Sequence, residues 1–94
     1  MDSIMNTKPG ECFICGKKTA TERHHVCFGV GLRKISEELG LIVYLCPEHH
    51  RGTYGVHGKD GNEINRYLKK QAQFEFEKTH AREEWMQRIG RNYL

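Results

Sequence analysis

Nowhere in the 94-residue chain does an apolar run approach the ~20 residues that a membrane-spanning helix needs. Residues 1–10 lack the hydrophobic core of a signal peptide. There is no internal repeat, no low-complexity tract and no domain linker. Charge of one sign is also scarce: 15 Lys and Arg against 12 Asp and Glu leave a net +3, so any hold on nucleic acid must rest on local patches. Length allows one domain, and folding would bury only about 60–65% of the unfolded surface, so the core is thin. With glycine counted, the apolar share sits just under the globular norm of ~45–50%, which argues against disorder. These absences exclude a membrane protein, a secreted precursor, a repeat array and a large cofactor-binding fold. They leave the expectation of a small, soluble, cytoplasmic domain that needs a staple.

The staple is legible in four cysteines and six histidines. Cys12 and Cys15 form a knuckle whose two-residue spacer lets both sulfurs converge. Cys46 and His49 repeat that spacer, with Pro47 favoured at the first position of a helix. In a reducing compartment such pairs hold metal more often than they form disulfides. A tetrahedral structural Zn²⁺ on Cys12, Cys15, Cys46 and His49 is therefore expected. Two variants of that set stay open, His50 in place of His49 or recruitment of Cys27. A redox dithiol at Cys12 and Cys15 is the weaker reading, because no thioredoxin-like βαβ pattern surrounds it. Cys27, with no knuckle partner, reads as a small buried hydrophobe.

Along the chain, residues 1–11 read as a flexible arm ending in a turn at Lys8-Pro9-Gly10. Residues 20–28 read as extended. Leu32 to Leu39 reads as a short helix with Ile35 and Leu39 on one face and Gly40 as its stop. Leu41 to Leu45 reads as a buried strand. Asn62 is a plausible N-cap for an amphipathic helix over 63–78, with Ile64, Tyr67, Leu68, Ala72, Phe74 and Phe76 assigned to its apolar face. A second helix over 81–89 offers Trp85, Met86 and Ile89 to the core, and His80 between the two helices reads as a surface or capping residue. The motifs occupy 12–57 and the C-terminal helices 62–90 of a single domain over 12–94.

The zinc set leaves His24, His25, His50 and His57 to be explained. A helix start drawn towards the knuckle would bring strand and helix together, so that His24, His25 and His50 converge on a second metal. His57 follows His50 by seven residues, within about 20° of two full turns on an unbroken helix. It is either a ligand or phosphate contact, or a loop histidine, since Gly52 and Gly55 weaken such a helix.

The order Cys-x-x-Cys, His-His on a strand, then Cys-x-x-His-His opening a helix resembles the small HNH endonucleases, in particular compact HNH-like proteins encoded by bacteriophages. The resemblance covers Cys12 to His57. It implies a ββα-metal core braced by a treble-clef zinc, with C-terminal helices added, in an α+β domain. It implies His24 and His50 as ligands of one catalytic divalent cation (Mg, Mn, Ni or Zn) and His25 as the general base. The family's middle Asn, which braces the loop holding the base, has no counterpart: no Asn lies between His25 and Cys46. A backbone carbonyl, Ser36 or another side chain is left for that role.

The implied activity is phosphodiester hydrolysis on DNA by a phage-encoded enzyme working in the bacterial host cytoplasm. Lys17, Lys18, Arg23, Arg33, Lys34 and Arg51 are the candidate phosphate contacts. Lys69, Lys70, Lys78, Arg82 and Arg88 read instead as solvated helix faces offset by Glu75, Glu77, Glu83 and Glu84. The alternative functions are a non-catalytic zinc module that binds nucleic acid, and an accessory subunit of a phage DNA-processing complex.

Overall fold

The computed structural model describes residues 3–94. Among the described residues the chain is an α+β domain with one two-stranded sheet and four helices. They run β1 (Glu22–His25), α1 (Leu32–Leu39), β2 (Ile42–Leu45), α2 (Pro47–Arg51), α3 (Asn62–Phe76) and α4 (Arg82–Arg88). No helix among these is long and apolar enough to cross a membrane.

β1 and β2 pair antiparallel, with Glu22 opposite Leu45 and His25 opposite Ile42. Pairing continues one residue beyond β1, where the Val26 amide donates to the Leu41 carbonyl at 2.9 Å. The extended segment is shorter than the sequence suggests because the chain turns over after Val26. The buried Ser36 hydroxyl of α1 accepts from the Cys27 amide (3.1 Å) and donates to the Cys27 carbonyl (2.6 Å). Gly40 ends α1 in the left-handed region at φ 74°, which a side-chain-bearing residue adopts only with strain, and its amide bonds back to the Ser36 carbonyl.

Residues 3–11, expected as a flexible arm, are docked on this sheet. The Ile4 amide donates to the Gly40 carbonyl at 2.9 Å, the Ser3 hydroxyl donates to the Ile42 carbonyl at 2.5 Å, and the Thr7 hydroxyl accepts from the Tyr44 amide at 3.0 Å. Met5 is buried in the core. The arm thus covers backbone groups that an edge strand would leave open.

The core joins Val26, Leu41, Val43 and Leu45 from the sheet region to Leu68, Ala72 and Phe76 of α3 and Trp85 of α4. The three α3 residues recur at i, i+4 and i+8 and form one stripe. Tyr67 and Phe74, expected on that face, are exposed. Phe74 stands about 200° of helix rotation from both Ala72 and Phe76, which carries it away from the stripe. The stripe gains an unexpected member in Gln73. Its amide nitrogen donates to Glu77 (2.6 Å) and Asn92 (2.8 Å), its oxygen accepts from the Tyr93 amide (2.6 Å), and the C-terminal segment is tied to α3. Asn62 is the first helical residue rather than the cap; Gly61 stands at the cap position without a side-chain bond. On α4, Trp85 is fully buried and its indole N–H donates to the Arg91 carbonyl at 2.8 Å, Ile89 is half-buried, and Met86 is exposed. His80 is exposed and stacks on Phe76 at 4.3 Å.

Between α2 and α3 the chain makes a tight coil with glycine at every third position: 52, 55, 58 and 61. Gly55, Gly58 and Gly61 each donate to the carbonyl three residues back. A Cβ on Gly58 would overlap the carbonyl oxygen of Gly52, and one on Gly61 that of Gly55, so only glycine fits these turns. The coil also folds back on α2, with the Val56 amide on the His49 carbonyl and the His57 amide on the His50 carbonyl, both at 2.9 Å. Gly58→Ala is expected to lower stability by about 1–3 kcal/mol through overpacking, read as a drop in the urea midpoint. An unchanged midpoint would contradict the close packing of this coil.

Candidate metal centres

The first centre forms where the N-terminal knuckle meets the β2–α2 junction. Cys46 precedes the helix in an extended conformation and Pro47 opens it, so one helical turn carries His49 back over the Cys46 sulfur. The His49 Nδ1 lies 3.2 Å from Cys46 Sγ and 3.7 Å from Cys12 Sγ, and Cys15 Sγ lies 4.0 Å from Cys46 Sγ. A tetrahedral zinc with ~2.3 Å arms to sulfur sets ligand edges of about 3.8 Å, so the spacing of these atoms fits such an ion. The four residues form a group that could hold a metal, compatible with structural zinc. Burial works to raise the Cys12 pKa, but the amide N–H groups of Cys46, Cys15 and Ile14 outweigh it and bring the thiol down to about 6. Cys12 is therefore prepared as the thiolate that a metal requires. Cys27 is the reverse: burial pushes its thiol up to about 11, it takes no part in the group, and it packs in the core.

The second centre gathers His24, His50 and His57. Their ring centres are 5.3 Å apart for His24–His50, 5.2 Å for His24–His57 and 4.8 Å for His50–His57. His24 comes from β1, His50 from α2 and His57 from the glycine coil. His57 arrives by a route that the sequence does not suggest. α2 ends at Arg51, so no helix continues to His57; the backbone bond between His57 and His50 places the two side by side instead.

His24 is buried, and its Nε2 is a buried nitrogen without a hydrogen-bond partner. Leaving such an atom unpaired costs ~1–3 kcal/mol, and a cation shared with the two neighbouring imidazoles would satisfy it. Burial first, then the charges of His50, His57, His25 and Lys69, push the His24 pKa down to about 3. It stays neutral at physiological pH, the form that ligates metal. His57 is exposed, yet partial desolvation by its neighbours, with the charges of His50 and Arg33 adding to it, also lowers its pKa.

Two carboxylates that sequence reasoning missed support this centre. Glu22 Oε1 is 2.6 Å from His50 Nδ1, and Arg51 also binds Glu22, at 2.7 Å. His50 first, and Arg51 after it, hold the Glu22 pKa below its ordinary value. An ionised carboxylate only accepts, so Nδ1 carries the proton and Nε2 is left free to ligate. Glu37 on α1 plays the same part for His25: its Oε2 lies 3.0 Å from His25 Nε2, and Arg23 grips both carboxylate oxygens at 2.8 Å. Arg23, and His25 after it, lower the Glu37 pKa. The only sequence signal for Glu22 is its position two residues before His24, on the same face of a strand. For Glu37 there is none.

His25 does not join the three-imidazole group, although His24, His25 and His50 were expected to converge. Its Nε2 is claimed by Glu37 instead. It does line, with Arg23, Phe28 and Arg33, the cavity of about 230 Å³ that the three imidazoles share. Of the six expected phosphate contacts, Arg33 faces this cavity with no ion-pair partner among the described residues, while Arg23 and Arg51 are tied to Glu37 and Glu22. Lys17, Lys18 and Lys34 are exposed and lie outside its walls.

Comparison with protein-family models, with curated proteins and with solved structures finds no match to this chain.

If the Cys-rich group holds zinc, replacing Cys46 by Ser is expected to unfold the chain and release the ion, because a structural zinc in a small domain is worth on the order of 10 kcal/mol of folding. His49→Ala should behave likewise, whereas His50→Ala should stay folded and lose only the weaker of two metal equivalents. Circular dichroism with metal analysis checks this; a folded, metal-free Cys46→Ser chain would contradict it.

Proposed function

We propose that this chain is a metal-dependent DNA endonuclease of the HNH type, with structural zinc on Cys12, Cys15, Cys46 and His49 in a treble-clef arrangement. The observation that carries the reading is the unpartnered His24 Nε2, buried against His50 and His57 at the wall of a cavity that His25 also lines. A divalent cation on these three imidazoles would neutralise charge on the phosphate oxygens and orient the leaving group.

His25 supplies the base. Because ionised Glu37 only accepts, the His25 proton sits on Nε2 and the lone pair on Nδ1. That nitrogen takes a proton from the attacking water as the phosphodiester is cleaved. The bracing role of the family's middle Asn is divided here. Ser36 clamps both backbone groups of Cys27, just past the strand that carries His25, and Glu37 fixes the imidazole itself. Arg33, in the same cavity, is placed to meet a phosphate oxygen.

A second reading, a non-catalytic zinc module binding nucleic acid or an accessory subunit of a phage DNA-processing complex, draws on the ion pairs that occupy Arg23 and Arg51. Plasmid nicking with added Mn²⁺ or Mg²⁺, against a chelator control, separates the two. His25→Ala is expected to lose about 10²–10⁴ in cleavage rate while keeping its metal content and DNA affinity. Glu37→Gln, which releases the tautomer constraint, should lose roughly 10–100-fold. A wild-type chain that binds DNA and nicks it with neither metal would favour the second reading, and full activity in His25→Ala would remove His25 as the base.

A further inference from the structure

Away from the histidine cavity, the start of α3 and the C-terminal segment enclose a second cavity of about 330 Å³ whose walls include Arg66, Lys69 and Arg91 and no Asp or Glu side chain. None of the three cations has an ion-pair partner among the described residues, whereas Arg23, Arg51, Arg82 and Arg88 each have one. Two of them are held on a common ring: Lys69 Nζ lies 5.8 Å and the Arg91 guanidinium 5.5 Å from the centre of Tyr93. Two like charges are thus kept within about 11 Å of each other around one ring, and an anion in the cavity would offset their repulsion. Amide groups of Asn62 and Asn92 add polar walls. Asn92 Oδ1 already accepts from Gln73 and from the Leu94 amide, which leaves its NH₂ to donate.

The cavity is coupled to the metal centre through one side chain. Lys69 Nζ also sits 5.0 Å from the centre of the Phe28 ring, and that ring centre is 5.3 Å from His57 and 5.7 Å from His24. The ammonium and the His57 ring therefore lie within about 10 Å of each other, a distance equal to about three of the ~3.4 Å axial steps between charges on one DNA strand.

We propose that this cavity is a second phosphate site, which takes a backbone phosphate of the DNA strand a few nucleotides from the phosphodiester held at His24, His50 and His57. The proposal rests on the nuclease reading and extends it: α3 and the C-terminal segment, outside the HNH-like motifs, supply the grip on the substrate. Arg66 and Arg91 give forked donors to phosphate oxygens, and Lys69 gives a point charge between the two sites. Lys69, read from the sequence as a solvated helix residue, is here a substrate contact.

The test is the salt dependence of binding of a fluorescein-labelled DNA duplex to the intact zinc-bound chain, read by anisotropy in Ca²⁺, with Mn²⁺-dependent nicking measured alongside. Each phosphate contact contributes about 0.9 to the slope of log K against log salt. The double variant Arg66→Gln/Lys69→Gln is expected to lower the slope by about 1.8. Arg91→Gln, an exposed residue outside the helices, should lower it by about 0.9 and keeps the test intact if the double variant folds poorly. Arg82→Gln, whose guanidinium is committed to Glu77, should leave it unchanged. Unchanged slopes in the Arg66/Lys69 and Arg91 variants, with a wild type that binds and nicks, would overturn this site and leave the nuclease reading standing. A wild type that binds with the expected slope losses but never nicks would support the phosphate site and count against the nuclease. A wild type that neither binds nor nicks DNA would overturn both.

Discussion

Both candidate centres hang on the point where β2 ends and α2 begins. Cys46 and His49 face one ligand group and His50, the next residue, faces the other. Neighbouring side chains on a helix diverge by about 100°, and His49 and His50 accordingly join different ligand groups from this one turn. A single short helix therefore does two tasks. It closes the Cys-rich group against the knuckle, and in doing so it aims His50 at His24 on the paired strand. With only five residues, α2 has little stability of its own, and its geometry depends on what holds its first turn. This is why a metal at the Cys-rich group and the arrangement of the histidine group are physically one problem.

The surrounding structure holds that junction from several sides. The N-terminal residues bond to the backbone of β2, the knuckle's Phe13 amide donates to the Tyr44 carbonyl at 2.8 Å, and the glycine coil returns along α2. The α3 and α4 stripes then close the core beneath it, with Trp85 fully buried and the C-terminal segment fastened through Gln73. Around the histidine group the protein provides carboxylates only at one remove. Glu22 and Glu37 contact His50 and His25, not the gathered nitrogens, so an ion there would meet an all-imidazole face with open positions for oxygen ligands.

Much of this was legible in the sequence because it depends on local spacing. The Cys-x-x-Cys and Cys-x-x-His pairs, the proline that opens α2, the glycine that ends α1 and the stripe at Leu68, Ala72 and Phe76 all follow from periods of a few residues. Features set by long-range pairing were not legible. Glu22 reaches His50 across 28 positions and Glu37 reaches His25 across 12, and no local pattern marks either carboxylate. The docking of residues 3–11 depends on an open strand edge, and Gln73 depends on where the C-terminal segment comes to rest. Gly52 and Gly55 were visible as helix breakers, but that the close turns at 52, 55, 58 and 61 deliver His57 to His50 is a property of the coil's backbone. Tyr67 and Phe74 fall outside the buried stripe because the helix angle sets them well off the line of Leu68, Ala72 and Phe76, so the apolar face is narrower than the broad one expected.

The central claim is that one chain carries two metal centres divided between His49 and His50. The most direct measurement is anomalous diffraction from crystals of the wild-type chain grown with Mn²⁺, recorded at the zinc and manganese edges. The account predicts zinc among Cys12, Cys15, Cys46 and His49, and manganese bound to His24, His50 and His57. A single metal, or one ion bridging His49 and His50, would contradict it.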